Sequence, residues 1–201
     1  IFVLYGQGRE EIVAYQFAQE GLITRVVKTF PPSYGSSSLQ FIDWNGDPYP
    51  DLLYTNGDNA DYRSPPKPYH GIRVFTGTAD GTYPEAVFLP LPGAYGAEVA
   101  DFDQDGDQDI AAISFFPDYT QALPASAVYF ENKGPAGFSS YRLPSEGKGR
   151  FIRLTAGDYD LDGDIDLAAA TLAMEAVPDQ GRMEGWIKNG LPFIVWENKL
   201  H

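Results

Sequence analysis

Short apolar segments alternate with turn residues along the whole chain. Three of these segments, DLLYT, DIAAIS and DLAAAT, are apolar on both alternating faces, as is typical of strands that lie between two neighbouring sheets. The 21 glycines and 16 prolines punctuate the segments, and the 13 tyrosines and 13 phenylalanines favour strands over helices. The pattern predicts an all-β protein.

An acidic stretch precedes each of the three apolar segments. The full sequences are IDWNGDPYPDLLYTN, ADFDQDGDQDIAAIS and GDYDLDGDIDLAAAT, and their first aspartates are Asp43, Asp101 and Asp158. The intervals of 58 residues (101 minus 43) and 57 residues (158 minus 101) indicate a repeat architecture. After a variable stretch, each repeat contains a strand that ends near an aromatic residue: GIRVFTG, AVYFENKG and FIVWENK.

Each period contains four short predicted strands, the number in a β-propeller blade. The first forty residues supply three more, IFVLYG, EEIVAYQFA and LITRVVKTF, as the second to fourth strands of a blade without an acidic loop. We therefore predict about three and a half blades of four antiparallel strands, a partial ring. The predicted units are residues 1–40, 41–98, 99–155 and 156–201. An ordinary sandwich with accidental similarity is disfavoured, because three acidic loops keep step with three aromatic strands.

The acidic loops have the composition of calcium sites. The pattern D-x-D-x-D-G-x-x-D offers side-chain oxygens at positions 1, 3, 5 and 9 and a backbone carbonyl at position 7, while a glycine at position 6 permits the turn around the ion. Oxygen ligands without His or Cys favour Ca²⁺ over zinc. The predicted metal residues are Asp43, Asn45, Asp47, Tyr49, Asp51, Asp101, Asp103, Asp105, Asp107, Asp109, Asp158, Asp160, Asp162, Asp164 and Asp166.

The first loop departs from this pattern, because Pro48 replaces the glycine found as Gly106 and Gly163 in the other two. We expect a weaker or differently shaped site there, since proline restricts φ. An EF-hand begins in the same way but needs Glu at position 12, where this chain has Tyr54, Ala112 and Ala169. We predict that the ions stabilise the blades rather than catalyse a reaction, because no histidine lies within the loops.

Charge and cysteine content exclude several classes of function. The net charge of −14 and the absence of a Lys/Arg cluster disfavour nucleic acid and anionic membranes as partners. No apolar run approaches the ~20 residues of a membrane helix. With no cysteine, the chain can form no disulfide, thiolate metal site or covalent c-type haem link. The opening IFVLYGQG, without an initiator Met or a basic leader, predicts a truncated or processed N-terminus.

The stretches DWNGDPYPDLL, DFDQDGDQDIA and DYDLDGDIDLA, together with VYFENKG and IVWENK, resemble the FG-GAP/VCBS repeat family, bacterial relatives of the integrin α-subunit propeller. The segments PPSYGSSSLQFIDWNGDPYPDLLYTNGDNADY and KPYHGIRVF are similar to a subgroup of secreted bacterial proteins. The resemblance implies a propeller, usually of seven blades, with Ca²⁺ in the hairpin between a blade's first two strands. It also implies export to an extracellular, cell-surface or periplasmic location. Further blades or other chains would then complete the ring.

The connections between second and third strands are the predicted partner surface, because loops on a rigid scaffold commonly carry function. Their amphipathic residues are Tyr62, Tyr69, His70, Phe116, Tyr119, Met183 and Trp186. We expect a non-catalytic module that binds a protein or a glycan. The alternatives are an accessory subunit of a larger surface or redox assembly and a part of a polysaccharide-acting enzyme. No catalytic constellation is visible in the sequence.

Overall fold

The computed structural model describes residues 1–58, 66–122, 124–175 and 181–199. In these residues the protein is nearly all-β, with strands grouped into four antiparallel sheets. The strands are β1 (Phe2–Tyr5), β2 (Glu11–Ala18), β3 (Gly21–Thr29), β4 (Ser36–Ile42), β5 (Asp51–Asn56), β6 (Gly71–Phe75), β7 (Glu85–Pro90), β8 (Ala94–Ala100), β9 (Asp109–Ser114), β10 (Ala127–Asn132), β11 (Phe138–Arg142), β12 (Arg150–Gly157), β13 (Asp166–Leu172) and β14 (Phe193–Trp196). A 3-10 turn, Gly134–Ala136, and one helix, α1 (Met183–Asn189), complete the elements.

Strands follow one another in each sheet in chain order. The sheets are β1-β2-β3, β4-β5-β6-β7, β8-β9-β10-β11 and β12-β13-β14, and every neighbouring pair is antiparallel. This arrangement confirms the predicted class of partial propeller blades. Because antiparallel hairpins alternate between the two ends of a sheet, the acidic loops lie at one end and the connections from second to third strands lie at the other.

The four-stranded sheets begin before their acidic loops. The second sheet runs from Ser36 to Pro90 and the third from Ala94 to Arg142. The predicted unit boundaries at residues 41, 99 and 156 fall within β4, β8 and β12. The physical reason is that the acidic loop is the turn of a hairpin, so the strand before the loop pairs with the strand after it.

Consecutive sheets pack face to face through three hydrophobic clusters. Ile12 of the first sheet packs with Leu52, Tyr54 and Phe75 of the second. Ile72 and Val74 pack with Ala97 and Ile110 across the second and third sheets, and Phe151 and Leu154 pack with Ala111 and Ile113 across the third and fourth. Every residue of β5 and β9 is buried, because these strands lie between two neighbours.

The outer sheets are less covered than the inner ones. In β3 of the first sheet, Leu22, Ile23 and Val26 are about half exposed, and in β14 of the fourth sheet Phe193 is 62% exposed. The described sheets form an open arc rather than a closed ring. Within the described ranges, no helix has the length and apolar character needed to cross a membrane.

Candidate metal sites and the opposite loop face

The last aspartate of each acidic loop is a buried structural anchor. Asp51, Asp109 and Asp166 are at most 2% exposed. One oxygen of each accepts a hydrogen bond from a backbone N–H at the loop start: 2.8 Å from Trp44, 3.2 Å from Phe102 and 2.8 Å from Tyr159. The other accepts a 2.7 Å bond from a backbone N–H beyond the third strand or at its end, in Gly77, Asn132 and Asn198. Position 9 therefore ties the hairpin to the third strand in all three repeats.

The loops at 101–109 and 158–166 have the same backbone conformation. The glycines at position 6 have φ of +97° at Gly106 and +98° at Gly163, values that side chains rarely allow. The glycine N–H donates to the first aspartate of its own loop, at 3.1 Å to Asp101 Oδ2 and 3.2 Å to Asp158 Oδ2. The chain thus wraps around its own carboxylates, as predicted for these two loops.

Carboxylates converge in both of these loops. Ligand oxygens of Asp101, Asp103 and Asp109 lie within 4.8 Å of one another, and so do those of Asp158, Asp160 and Asp162. These two groups are the acidic clusters of three or more found among the described residues. At such separations each pair of charges repels by about 1 kcal/mol in water and by several times that when partly desolvated.

Burial and mutual repulsion act on these side chains in the absence of a cation. Burial raises the pKa of Asp103, and nearby Asp109 raises it further. Burial likewise raises the pKa of Asp109. In the last loop, burial raises the pKa of Asp160, with contributions from Glu197 and Asp162. A bound dication would reverse these shifts, because it stabilises the charged carboxylates.

The donor set of the two clusters fits Ca²⁺. All the converging groups are carboxylates, and Ca²⁺ binds oxygen ligands at 2.3–2.6 Å. Oxygens that lie within 4.8 Å of one another can surround one ion at such distances. The clusters could therefore hold Ca²⁺. The remaining predicted groups differ in exposure, since Asp105 and Asp107 are exposed whereas Asp164 is fully buried.

The loop at 43–51 has a different shape. Gly46 at position 4 has φ of +73° and donates its N–H to Asp43 Oδ1 at 2.8 Å. The position-6 bond of the other loops cannot form, because Pro48 has no N–H. Asn45 Nδ2 donates to Asp47 Oδ2 at 2.8 Å, which draws these two predicted ligands together. Tyr49 is 39% exposed. The different shape agrees with the expectation drawn from Pro48.

The acidic loops of neighbouring sheets contact one another. Gln104 Nε2 donates to the carbonyl of Gly163 at 3.2 Å. Asn198 Nδ2, just after β14, donates to the carbonyl of Phe102 at 2.7 Å. The two carboxylate clusters are thus parts of one connected surface at one end of the sheets.

The structure distributes the predicted partner residues unevenly. His70 and Trp186 are buried, at 1% and 6% exposed, so neither presents its side chain at the described surface. The partner surface itself stays a prediction. His70 is enclosed at the start of β6, and the Trp186 ring packs toward Tyr119 with centroids 6.4 Å apart. Met183 is 38% exposed, and Tyr69, Phe116 and Tyr119 are half-buried. Tyr62 lies outside the described residues.

A cleft of about 570 Å³ opens at the end opposite the acidic loops. It lies between the β9–β10 connection, the β11–β12 turn and helix α1, and its lining includes Tyr119, Ser126, Glu146, Lys148, Arg182, Trp186 and Asn189. Tyr119 and Trp186 were predicted from the sequence as partner residues, whereas the charged groups were not. The only sequence signal for these groups was their place in or beside the long connections.

A buried cation stiffens the wall of this cleft. Arg150 is 4% exposed, and its Nη2 lies 2.8 Å from Glu175 Oε2. Its guanidinium also lies 5.2–5.4 Å from the ring centroids of Phe115, Phe116, Tyr119 and Trp186. These contacts explain why the predicted aromatic residues are packed inward, since they surround a charge that would otherwise be poorly solvated.

Helix α1 presents apolar side chains next to the cleft. Met183 and Ile187, one turn apart, are 38% and 66% exposed, and Leu191 just beyond the helix is 45% exposed. This segment was predicted as part of a connection between strands, without a helix. The sequence feature that could have predicted this helix is the helical spacing of Met183, Trp186 and Ile187, followed by Gly190 after the last turn.

The sheets and acidic hairpins together define a repeat protein built from β-propeller blades. The model of a known family, the FG-GAP-like repeat, matches residues 43–112, which extend from the first acidic loop into β9. The resemblance predicted from the acidic loops is therefore confirmed over this segment. The comparison with curated proteins gave no match.

Proposed function

We propose that the protein is a non-catalytic, calcium-stabilised propeller module that acts outside the cytoplasm and binds a protein or a glycan. The observation that carries the proposal is that the two ends of the sheets differ in their chemistry. One end carries two clusters of three carboxylates, and the opposite end carries a cleft beside an exposed apolar helix.

The calcium part of the proposal rests on the placement of the clusters. Each lies in an acidic hairpin loop whose last aspartate, Asp109 or Asp166, accepts a backbone hydrogen bond from the end of the third strand. A cation that neutralises the cluster would stabilise this junction, because the repulsion between carboxylates would become attraction to the ion. Modest sites of this kind are filled at the millimolar calcium levels found outside the cytoplasm, which supports an extracytoplasmic location.

The binding part rests on the loop face opposite the acidic loops. Exposed Met183, Ile187 and Leu191 form an apolar patch, and Lys148, Arg182 and Asn189 supply polar groups in the adjoining cleft. Apolar surface with a polar rim is the composition of many binding surfaces. Every residue of β5 and β9 in the inner sheets is buried, whereas the outer sheets are less covered. This difference supports completion of the ring by further blades or another chain.

Thermal unfolding tests the calcium part. The melting temperature of the protein in about 1 mM CaCl₂, a concentration that fills extracellular sites, is compared with that in excess EGTA. We expect a clear increase with calcium and no increase for a variant that carries both Asp103→Asn and Asp160→Asn. Equal melting temperatures in calcium and in EGTA would refute calcium stabilisation.

Ligand screening with a surface variant tests the binding part. Fluorescently labelled protein is applied to a glycan array and to immobilised extracellular proteins, alongside Ile187→Lys and the control Leu22→Lys. Both substituted side chains are more than half exposed, at 66% and 53%, so neither change should unfold the protein. We expect Ile187→Lys to lose a signal that Leu22→Lys retains. Equal signals from the two variants would show that binding, if present, uses another surface.

A further inference from the structure

The inner sheets pack through two kinds of face, whose residues alternate along the strand after each acidic loop. In β9, Ile110 and Ala112 pack on the second sheet, whereas Ala111 and Ile113 pack on the fourth. We call the side toward the preceding sheet the upstream face and the side toward the following sheet the downstream face. Each contact between sheets thus joins the downstream face of one sheet to the upstream face of the next.

The downstream face of the fourth sheet is open in the described part of the chain. Its second and fourth residues after the last loop aspartate are Ala168 and Ala170, which are half-buried, whereas their counterparts in β9 are fully buried. Phe193, which pairs with Ala170, is 62% exposed. A hollow of about 210 Å³, whose lining includes Ala168 and Val195, lies at this face. The face therefore presents small side chains beside one bulky, exposed ring.

The aromatic residue at position 2 of an acidic loop contacts the following sheet. Trp44 stacks on Phe138 of the third sheet, with ring centroids 6.3 Å apart. Phe102 is 6% exposed within the cluster between the third and fourth sheets. Tyr159 holds this position in the fourth sheet and is 70% exposed. Its ring is therefore placed to pack on a further sheet.

The first sheet has an open upstream face. Ile12 packs on the second sheet, so the alternate residues Val13, Tyr15 and Phe17 of β2 lie on the upstream face. Phe17 is 76% exposed, and Val26, which pairs with Val13, is 51% exposed. This face is thus apolar, bulky and open in the described residues.

We propose that the upstream face of the first sheet packs on the downstream face of the fourth sheet of a second copy of this chain, which gives a closed head-to-tail dimer. This inference rests on the completion of the ring in the proposed function and names the chain that completes it. Two copies contribute eight sheets (two times four), within the 4–8 blades typical of β-propellers. A closed ring of two copies forms the same contact twice, so both open faces are covered.

The side chains on the two faces match in size as in an existing contact. Between the third and fourth sheets, the small Ala111 and Ala127 pack in one cluster with the bulky Phe151 and Leu154. The proposed contact repeats this arrangement, because the alanines of β13 would meet the aromatic side chains of β2. Burial of exposed apolar surface favours association. The net charge of −14 on each chain opposes association, so salt should strengthen it by screening the repulsion.

Size-exclusion chromatography with light scattering, at micromolar protein in physiological salt, tests the proposal. We expect twice the mass of one chain and no larger species. Phe17→Lys and Phe193→Lys each change one exposed residue of a proposed face, and each should weaken association about thirtyfold or more. The control Ile187→Lys changes a 66% exposed residue of helix α1 and should leave the dimer intact. Circular dichroism checks that each variant folds.

Disulfide cross-linking tests the head-to-tail arrangement, because the chain has no cysteine of its own. Tyr159 lies in an acidic loop and Phe17 lies beside the β2–β3 turn, and both are at the same end of their sheets. Under mild oxidation, a mixture of Tyr159→Cys and Phe17→Cys chains should form a covalent dimer with one chain of each kind. Dimers of either variant alone, formed in place of the mixed dimer, would show that like faces meet and would overturn the arrangement.

The remaining outcomes separate this inference from the proposed function. A wild-type protein that stays a monomer would overturn the second copy as the partner of these faces, as would association that neither Phe17→Lys nor Phe193→Lys weakens. A monomer that calcium stabilises, or that binds a ligand through Ile187, would refute only the inference. A dimer that neither responds to calcium nor binds a protein or glycan would refute the proposed function and retain the inference.

Discussion

Buried His70 should make the protein sensitive to acid in a predictable range. Burial, together with the nearby charge of Lys67, lowers the pKa of His70 from 6.5 to about 4. The folded state therefore holds a neutral imidazole, whereas the unfolded chain binds a proton below pH ~6.5. The contribution to stability is complete above pH ~6.5 and is lost progressively as the pH falls toward 4. At pH 5 the loss amounts to about 2 kcal/mol.

The variant His70→Gln removes this titration. Urea unfolding of both proteins at pH 8 and pH 5, in the same calcium concentration, gives the change in the free energy of unfolding for each. The carboxylates titrate equally in the two proteins, so the difference between the two changes isolates His70. We expect the wild-type protein to lose about 2 kcal/mol more than the variant. Losses that agree within about 0.5 kcal/mol would refute the assignment of a neutral buried histidine.

Further substitutions test the acidic loops, helix α1 and the buried ion pair. Gly106→Ala should lower stability by about 1–2 kcal/mol because φ is +97° there. Gly185→Ala in helix α1 should raise stability by about 0.5–1 kcal/mol, because a Cβ at this position meets open space. Chemical denaturation measures both, and equal effects would contradict the assigned conformations. Glu175→Gln should destabilise the protein by about 3 kcal/mol, because it leaves the buried guanidinium of Arg150 without its charge partner. A change below about 1 kcal/mol in the same assay would show that the pair is solvated.

The strand pattern could be predicted from the sequence because the central strands are buried on both faces. DLLYT and DIAAIS lie in β5 and β9, whose residues are all buried, and this environment requires continuous apolar runs. The turn at each acidic loop was also predictable, because Gly106 and Gly163 supply a backbone conformation that few residues adopt. These features depend on local sequence and a fixed period.

The features missed depend on contacts between distant parts of the chain. Helix α1 has 7 residues, which is too short for periodicity to stand out within a long connection. His70 and Trp186 have the amphipathic character of surface residues, and only the packing of neighbouring loops reveals that they are buried.

The number of calcium ions bound by metal-free protein tests the central claim most directly. Calorimetry with CaCl₂ should show two stronger sites, one for each carboxylate cluster, and any binding at residues 43–51 should be weaker. The Asp103→Asn variant should retain one of the two stronger sites, and the combination with Asp160→Asn should retain neither. Absence of binding at about 1 mM calcium, or stronger sites that persist in the double variant, would contradict the account.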